Sequence, residues 1–246
     1  MNHTLSLEQG LTPLRLLQPQ LNCVLRDHGL SDTANRIDTC KRNTPCRSRR
    51  CIVCTSLRSI AQRSHLKQHV RRLFGQASKP TVYAITPTVL DSAIQHRQRA
   101  LDLVSGTRAL MRKLAASSWF ATTETLPSMF GDSSLRTHTH VLAVLNTPAS
   151  GRGFVRQSKW QERIYEDWQS ICPAIAQDAD AKRLLTVDDA LRWSAYATKG
   201  ASLQDCAIRN EAALREPESF MAASDALWNV AQFFGPLALG YRSRSK

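Results

Sequence analysis

The chain has 246 residues, 42% of them hydrophobic and 22% charged. That suits one average domain with a smaller appendage, and excludes a wholly disordered or collagen-like chain. No apolar run reaches the ~18 residues a spanning helix needs, and the opening MNHTLSLEQG has no basic stretch followed by an apolar one, so a cytoplasmic protein is expected rather than a membrane or secreted one. Thirty-three Lys and Arg against 20 acids give a net charge of +13. An excess of that size points to a polyanionic partner, nucleic acid ahead of a membrane surface.

Residues 1–35 are polar and broken by Pro13, Pro19 and Gly29, and read as a loosely structured leader. Residues 36–78 read as a basic module. From Arg36 to Arg72 there are eleven Lys and Arg and one acid, Asp38. Arg47, Arg49, Arg50 and Arg58 are its expected DNA contacts. The segment CKRNTPCRSRRCIVC holds four of the seven cysteines, Cys40, Cys46, Cys51 and Cys54. A C-x2-C pair with two further thiolates suits a closed tetrahedral zinc site. The interspersed arginines favour the thiolate form. Cys40 is the least secure ligand, since His65 and His69 follow nearby. After Cys54 the apolar positions Leu57, Ile60, Ala61, Leu66, Val70 and Leu73 predict a helix.

Residues 79–205 read as the main domain. TVYAIT (81–86) predicts a strand. Thr88 and Asp91 suggest a capping box opening a helix that breaks at Ser105-Gly106 and resumes to about Ala116. WFATTETL (119–126) and RTHTHVLAVL (136–145) predict two strands joined as a hairpin by the turn residues of 127–134. SKWQERIYEDWQSI (158–171) and VDDALRWSAYATKG (187–200) predict amphipathic helices, the second capped by Gly200. Residues 206–246 read as a helical extension with a basic tail. Strands before and between helices imply an α+β layered fold.

Three pieces carry chemistry. On a strand, His138 and His140 project to one side, good geometry for two imidazoles on one ion. Glu124 lies on the strand paired with theirs and is the third candidate ligand. Two imidazoles and a carboxylate leave positions open for substrate oxygens, which suits Mg2+ or Mn2+ at a phosphate. On a helix, Tyr196 and Lys199 share a face, and a phenol beside a positive charge can act as a nucleophile.

The ordered set CRSRRCIVCTSLR, TVYAITPT, WFATTETL, THTHVLAVLN, SKWQERIYEDWQ and AYATKG resembles the plasmid rolling-circle replication initiators of the HUH endonuclease superfamily. It spans roughly residues 40–200. The resemblance implies a central antiparallel sheet of about five strands, helices against one face, and the histidine strand at its centre. It implies His138 and His140 as metal ligands, Glu124 as the third, Tyr196 as the nucleophile and Lys199 as the lysine that follows it. The implied activity is nicking of one strand at a double-strand replication origin. A 5′-phosphotyrosine link and a free 3′-OH result, and the strand is later rejoined. The implied partners are duplex and single-stranded origin DNA, a host helicase and the replication machinery. A homo-oligomer is compatible with the family.

One position departs from the family. Where many members carry a glutamate one helical turn before the tyrosine, this chain has Arg192. Asp189, another acid, a second subunit or partial degeneration each account for it. Two alternatives stand beside the leading one: a non-catalytic zinc-containing DNA-binding protein (a repressor or a degenerate initiator), and a transposase- or relaxase-like nickase.

Overall fold

The computed structural model describes residues 11–41, 44–48, 50–75, 81–89, 96–127, 135–145, 157–198, 207, 210–211, 214–215, 217–218, 221 and 230–234. It falls into two compact units, Met1–Arg63 with Thr198–Ser224 and Ser64–Ala197 with Asp225–Lys246. A single helix, Ile52–Phe74, runs across the division.

In the first unit, residues 11–16 are helical, followed by α1 (Gln18–Asp27), α2 (Ser31–Asp38) and the start of α3 (Ile52–Phe74). Over residues 11–35 the expected loose leader is instead packed helix; residues 1–10 lie outside the described residues. Leu11, Leu14, Leu21, Leu25, Ala34 and Ile37 are fully buried. Pro19 is no breaker, because it sits in the first turn of α1, where a missing N–H costs nothing. Gly29, at φ 73°, turns the chain between α1 and α2. Arg26 pairs with Asp38 at 2.9 Å and ties the two helices together.

The second unit is built on an antiparallel sheet. Among the described residues it has five strands: β1 (Thr81–Val89), β2 (Ala116–Pro127), β3 (Leu135–Leu145), β4 (Ala176–Leu184) and β5 (Val230–Phe234), in the order β4-β1-β3-β2-β5. The histidine strand β3 is thus central. Besides the part of α3 from Ser64 on, three helices among the described residues belong to this unit: α4 (His96–Lys113), α5 (Gln157–Ile171) and α6 (Val187–Thr198).

Alternation along the strands divides the core. Odd positions of β1 to β3, such as Tyr83, Ile85, Ala121, Val141 and Ala143, pack against Leu103, Leu110 and Met111 of α4 and Ile164 and Trp168 of α5. Even positions, Val82, Ala84, Phe120, Leu142 and Val144, pack against Leu66, Val70 and Leu73 of α3 and Ala190 and Ala197 of α6. Helices therefore cover both faces, not one as the family resemblance implies. The physical reason is the near-continuous apolar run of each central strand, which needs cover on both sides.

Two local expectations fail. Thr88 does not cap a helix; it is paired in β1 with His138. Nor does Ser105-Gly106 break α4, which continues through it. A Cβ on Gly106 would stand 2.6 Å from Cys172 Sγ and 2.8 Å from Trp168 Cζ3, so glycine is there for close helix packing, not for a turn. The chain leaves α4 through Ala115 at φ 49°, and Ala116 opens β2. The turn expected at 127–134 lies, beyond Pro127, outside the described residues, as do Lys199, Gly200 and the basic tail.

Candidate functional sites

The four cysteines come together in the first unit. Cys40 follows α2, its N–H donating to Ile37 O at 2.9 Å. Cys51 precedes α3 and Cys54 lies in its first turn. Sulfur separations are 3.5 Å for Cys40–Cys54, 3.7 Å for Cys46–Cys54 and 3.7 Å for Cys51–Cys40. All four ligand atoms lie within 4.8 Å of one another. A tetrahedral ion with metal–sulfur bonds of about 2.3 Å requires sulfurs about 3.8 Å apart, so the cluster fits a metal such as zinc. Cys40, the least secure candidate, is a full member, and four sulfurs leave no ligand role for His65 or His69.

Backbone amides support the sulfurs. Cys46 N–H donates to Cys40 Sγ and Cys54 N–H to Cys51 Sγ, both at 3.5 Å. Arg47 takes φ 55° to make this turn, a left-handed conformation that is uncommon for a side-chain-bearing residue. A hydrogen bond from Cys51, with others from Cys40 and Cys46, brings the Cys54 thiol down to about 5 against its burial. The Cys51 thiol is driven well above its ordinary range, chiefly by that same bond to Cys54 and then by burial. Of the arginines expected to meet DNA, Arg47 and Arg58 are exposed and Arg50 is half-buried; Arg49 lies outside the described residues.

The second site lies on the even face of the sheet. His138 and His140, two residues apart on β3, bring their Nε2 atoms to 3.2 Å. Their rings stand at 76°, centroids 4.7 Å apart. With metal–nitrogen bonds of about 2.1 Å, that separation subtends an angle of about 100° at an ion, within the range of tetrahedral and octahedral coordination. The donor set therefore fits a divalent cation. Position 124 is in register directly opposite His138, and Thr122 opposite His140, as the predicted hairpin requires.

Helix α6 supplies the rest. Tyr196 lies edge-on to His140, centroids 4.8 Å apart and planes at 66°. Trp193, one turn earlier, meets the same imidazole at 6.2 Å and 86°. His140 is thus sealed to 2% exposure while Tyr196 stays 58% exposed. A buried imidazole thus has a largely exposed tyrosine ring against it.

Asp189 is otherwise engaged. Its N–H and carboxylate exchange hydrogen bonds with Thr186 Oγ1 at 3.1 and 2.8 Å, capping α6. Its other oxygen accepts from Arg192 at 2.9 Å. The Thr186 hydroxyl, then Arg192, hold its carboxyl below the usual carboxylate range.

Sequence reasoning passed over Trp193 and Thr122. Trp193 is three residues before Tyr196, hence on its helix face, and Thr122 is two before Glu124 on one strand; both periodicities were available. No family model, curated protein or solved structure matches the chain.

Proposed function

We propose that this protein is a metal-dependent DNA-nicking and strand-joining enzyme of the HUH type that initiates rolling-circle plasmid replication. The observation that carries the proposal is the meeting of the His138–His140 pair, Nε2 to Nε2 at 3.2 Å, with the exposed Tyr196 ring against His140.

His138 and His140 would hold the cation, with Glu124, opposite His138 in register, as third ligand. When bound, Mg2+ or Mn2+ stabilises charge developing on the non-bridging oxygens of the scissile phosphate. Tyr196 Oη loses its proton and forms a bond to phosphorus. The bond from phosphorus to the 3′ oxygen breaks, and that oxygen takes up a proton to become the 3′-OH that primes synthesis. The 5′-phosphate stays on Tyr196, so a later 3′-OH can reverse the step without an external energy source. The exposed phenol favours a single-stranded substrate, whose backbone can approach closely. Lys199, three residues after Tyr196 in the sequence, is assigned to support the phenolate. In the first unit, zinc on Cys40, Cys46, Cys51 and Cys54 would fix the loop that presents Arg47, Arg49 and Arg50 to origin DNA, beside Arg58 of α3.

The Arg192–Asp189 pair favours a second reading, an initiator that has lost turnover and binds DNA only. Incubation with single-stranded DNA spanning the origin of its own replicon, with Mn2+, separates the two. The first reading expects a cut strand, lost with EDTA and in His138→Ala and His140→Ala proteins that still fold. The second expects binding without a cut.

A further inference from the structure

Thr122 is 1% exposed, and its Oγ1 is buried with no hydrogen-bond partner among the described residues. An unsatisfied buried hydroxyl is destabilising. Valine has nearly the same shape, suits a strand at least as well and carries no such penalty. Packing therefore does not explain a threonine here.

The register places Thr122 opposite His140. Opposed residues of an antiparallel pair carry Cβ atoms about 4.5–5.5 Å apart, so a hydroxyl there lies within a small side-chain movement of the imidazole. The ring's other approaches are occupied by His138, Trp193 and Tyr196. Proton placement supplies the reason for the hydroxyl. The two Nε2 atoms of the histidine pair lie 3.2 Å apart, close enough for one cation to take both lone pairs. A neutral imidazole that ligates through Nε2 carries its hydrogen on Nδ1. A ligating histidine commonly hands that second N–H to an acceptor, which fixes tautomer and ring orientation.

We propose that Thr122 is a positioning residue for the cation site, its Oγ1 accepting the Nδ1–H of His140 when the pair binds a divalent ion. The inference rests on the histidine pair being a cation site. It is tested on the full chain with Mn2+ alone, following free Mn2+ by electron paramagnetic resonance, with thermal melting alongside. Thr122→Val is expected to melt at the parent's temperature or above, because the orphan hydroxyl is gone, yet to bind Mn2+ 10–100-fold more weakly. Thr122→Ser, which keeps the hydroxyl, is expected to stay close to the parent. A valine variant that binds Mn2+ as the parent does, while His140→Ala loses it, overturns the inference and leaves the cation site standing. A parent whose Mn2+ binding is untouched by His140→Ala overturns the cation site and the role of Thr122 with it.

Discussion

The Tyr196 ring rests edge-on against His140 at 4.8 Å, although one side chain comes from a late helix and the other from the central strand. The contact exists because α6 lies over the even face of the sheet, with Ala190 and Ala197 packed among Phe120, Leu142 and Val144. Small residues on the inner side of α6 let it approach closely, and the aromatic residues Trp193 and Tyr196 then reach the imidazole. The position of Tyr196 is a consequence of helix packing.

The cysteine cluster is expected to carry one zinc per chain by elemental analysis. Replacing Cys54 with Ser should abolish stoichiometric binding and unfold much of the first unit, since binding energy of a structural zinc is folding energy. A metal-bound sulfur is a thiolate, so uptake should expel protons and affinity should weaken as pH falls. A chelator that removes the metal without changing helix content by circular dichroism would argue against a structural role.

DNA binding should be steeply salt-dependent. The logarithm of affinity should fall by about 0.7–0.9 per logarithm of salt for each phosphate neutralised. Arg47→Ala and Arg58→Ala, both at exposed positions, should each reduce that slope by about one phosphate's worth and weaken binding across sequences alike. Unchanged slopes in both variants would remove these residues from the interface.

Gly106→Ala tests the packing of α4 on α5. In an exposed helix the change would stabilise by about 1 kcal/mol. Here the new methyl would stand 2.6 Å from Cys172 Sγ and 2.8 Å from Trp168, and Trp168 is pinned by its indole N–H to Thr88 O at 3.1 Å. A net loss of about 1–3 kcal/mol is expected, read as a lowered melting temperature, with partial recovery when Cys172→Ala is added.

His69 on α3 is buried and its Nε2 has no hydrogen-bond partner among the described residues. Burial, then Arg72 and His65, bring its imidazolium down to about 4 from 6.5. The unfolded chain therefore takes up a proton before the folded one as pH falls. Stability should be fully present above pH 6.5 and lost progressively towards pH 4, by an amount on the order of 2 kcal/mol. Melting temperatures of His69→Leu should show a shallower fall over that window. Equal slopes would place the acid sensitivity elsewhere.

The elements that bear the candidate chemistry were legible because their periods are strong. THTHVLAVL ends in an unbroken apolar run suited to a buried strand, and its expected pairing with WFATTETL put Glu124 on the neighbouring strand, where the register sets position 124 opposite His138. The four cysteines declared themselves by spacing. What escaped notice had weak local signals. Strand β4 reads AQDADAKRL, with alanines where a strand ordinarily buries branched side chains, and only the sheet edge made it a strand. The helices over 11–38 were hidden by Pro13, Pro19 and Gly29, although Pro19 sits in the first turn of α1, where it is tolerated. Gly106 looked like punctuation because its reason, a tryptophan on another helix, lies far away in sequence. Helices on both faces answer the near-continuous apolar runs of the central strands, a signal the one-faced family architecture leaves out.

The most direct measurement is the mass of the peptide that carries the DNA. After reaction with single-stranded origin DNA and Mn2+, nuclease digestion and proteolysis, a nucleotide attached through a 5′-phosphate is expected on the peptide holding Tyr196, and no adduct from a folded Tyr196→Phe protein. An adduct on a different residue, or one that persists undiminished in the phenylalanine variant, would contradict the assignment of Tyr196 as the nucleophile beside the histidine pair.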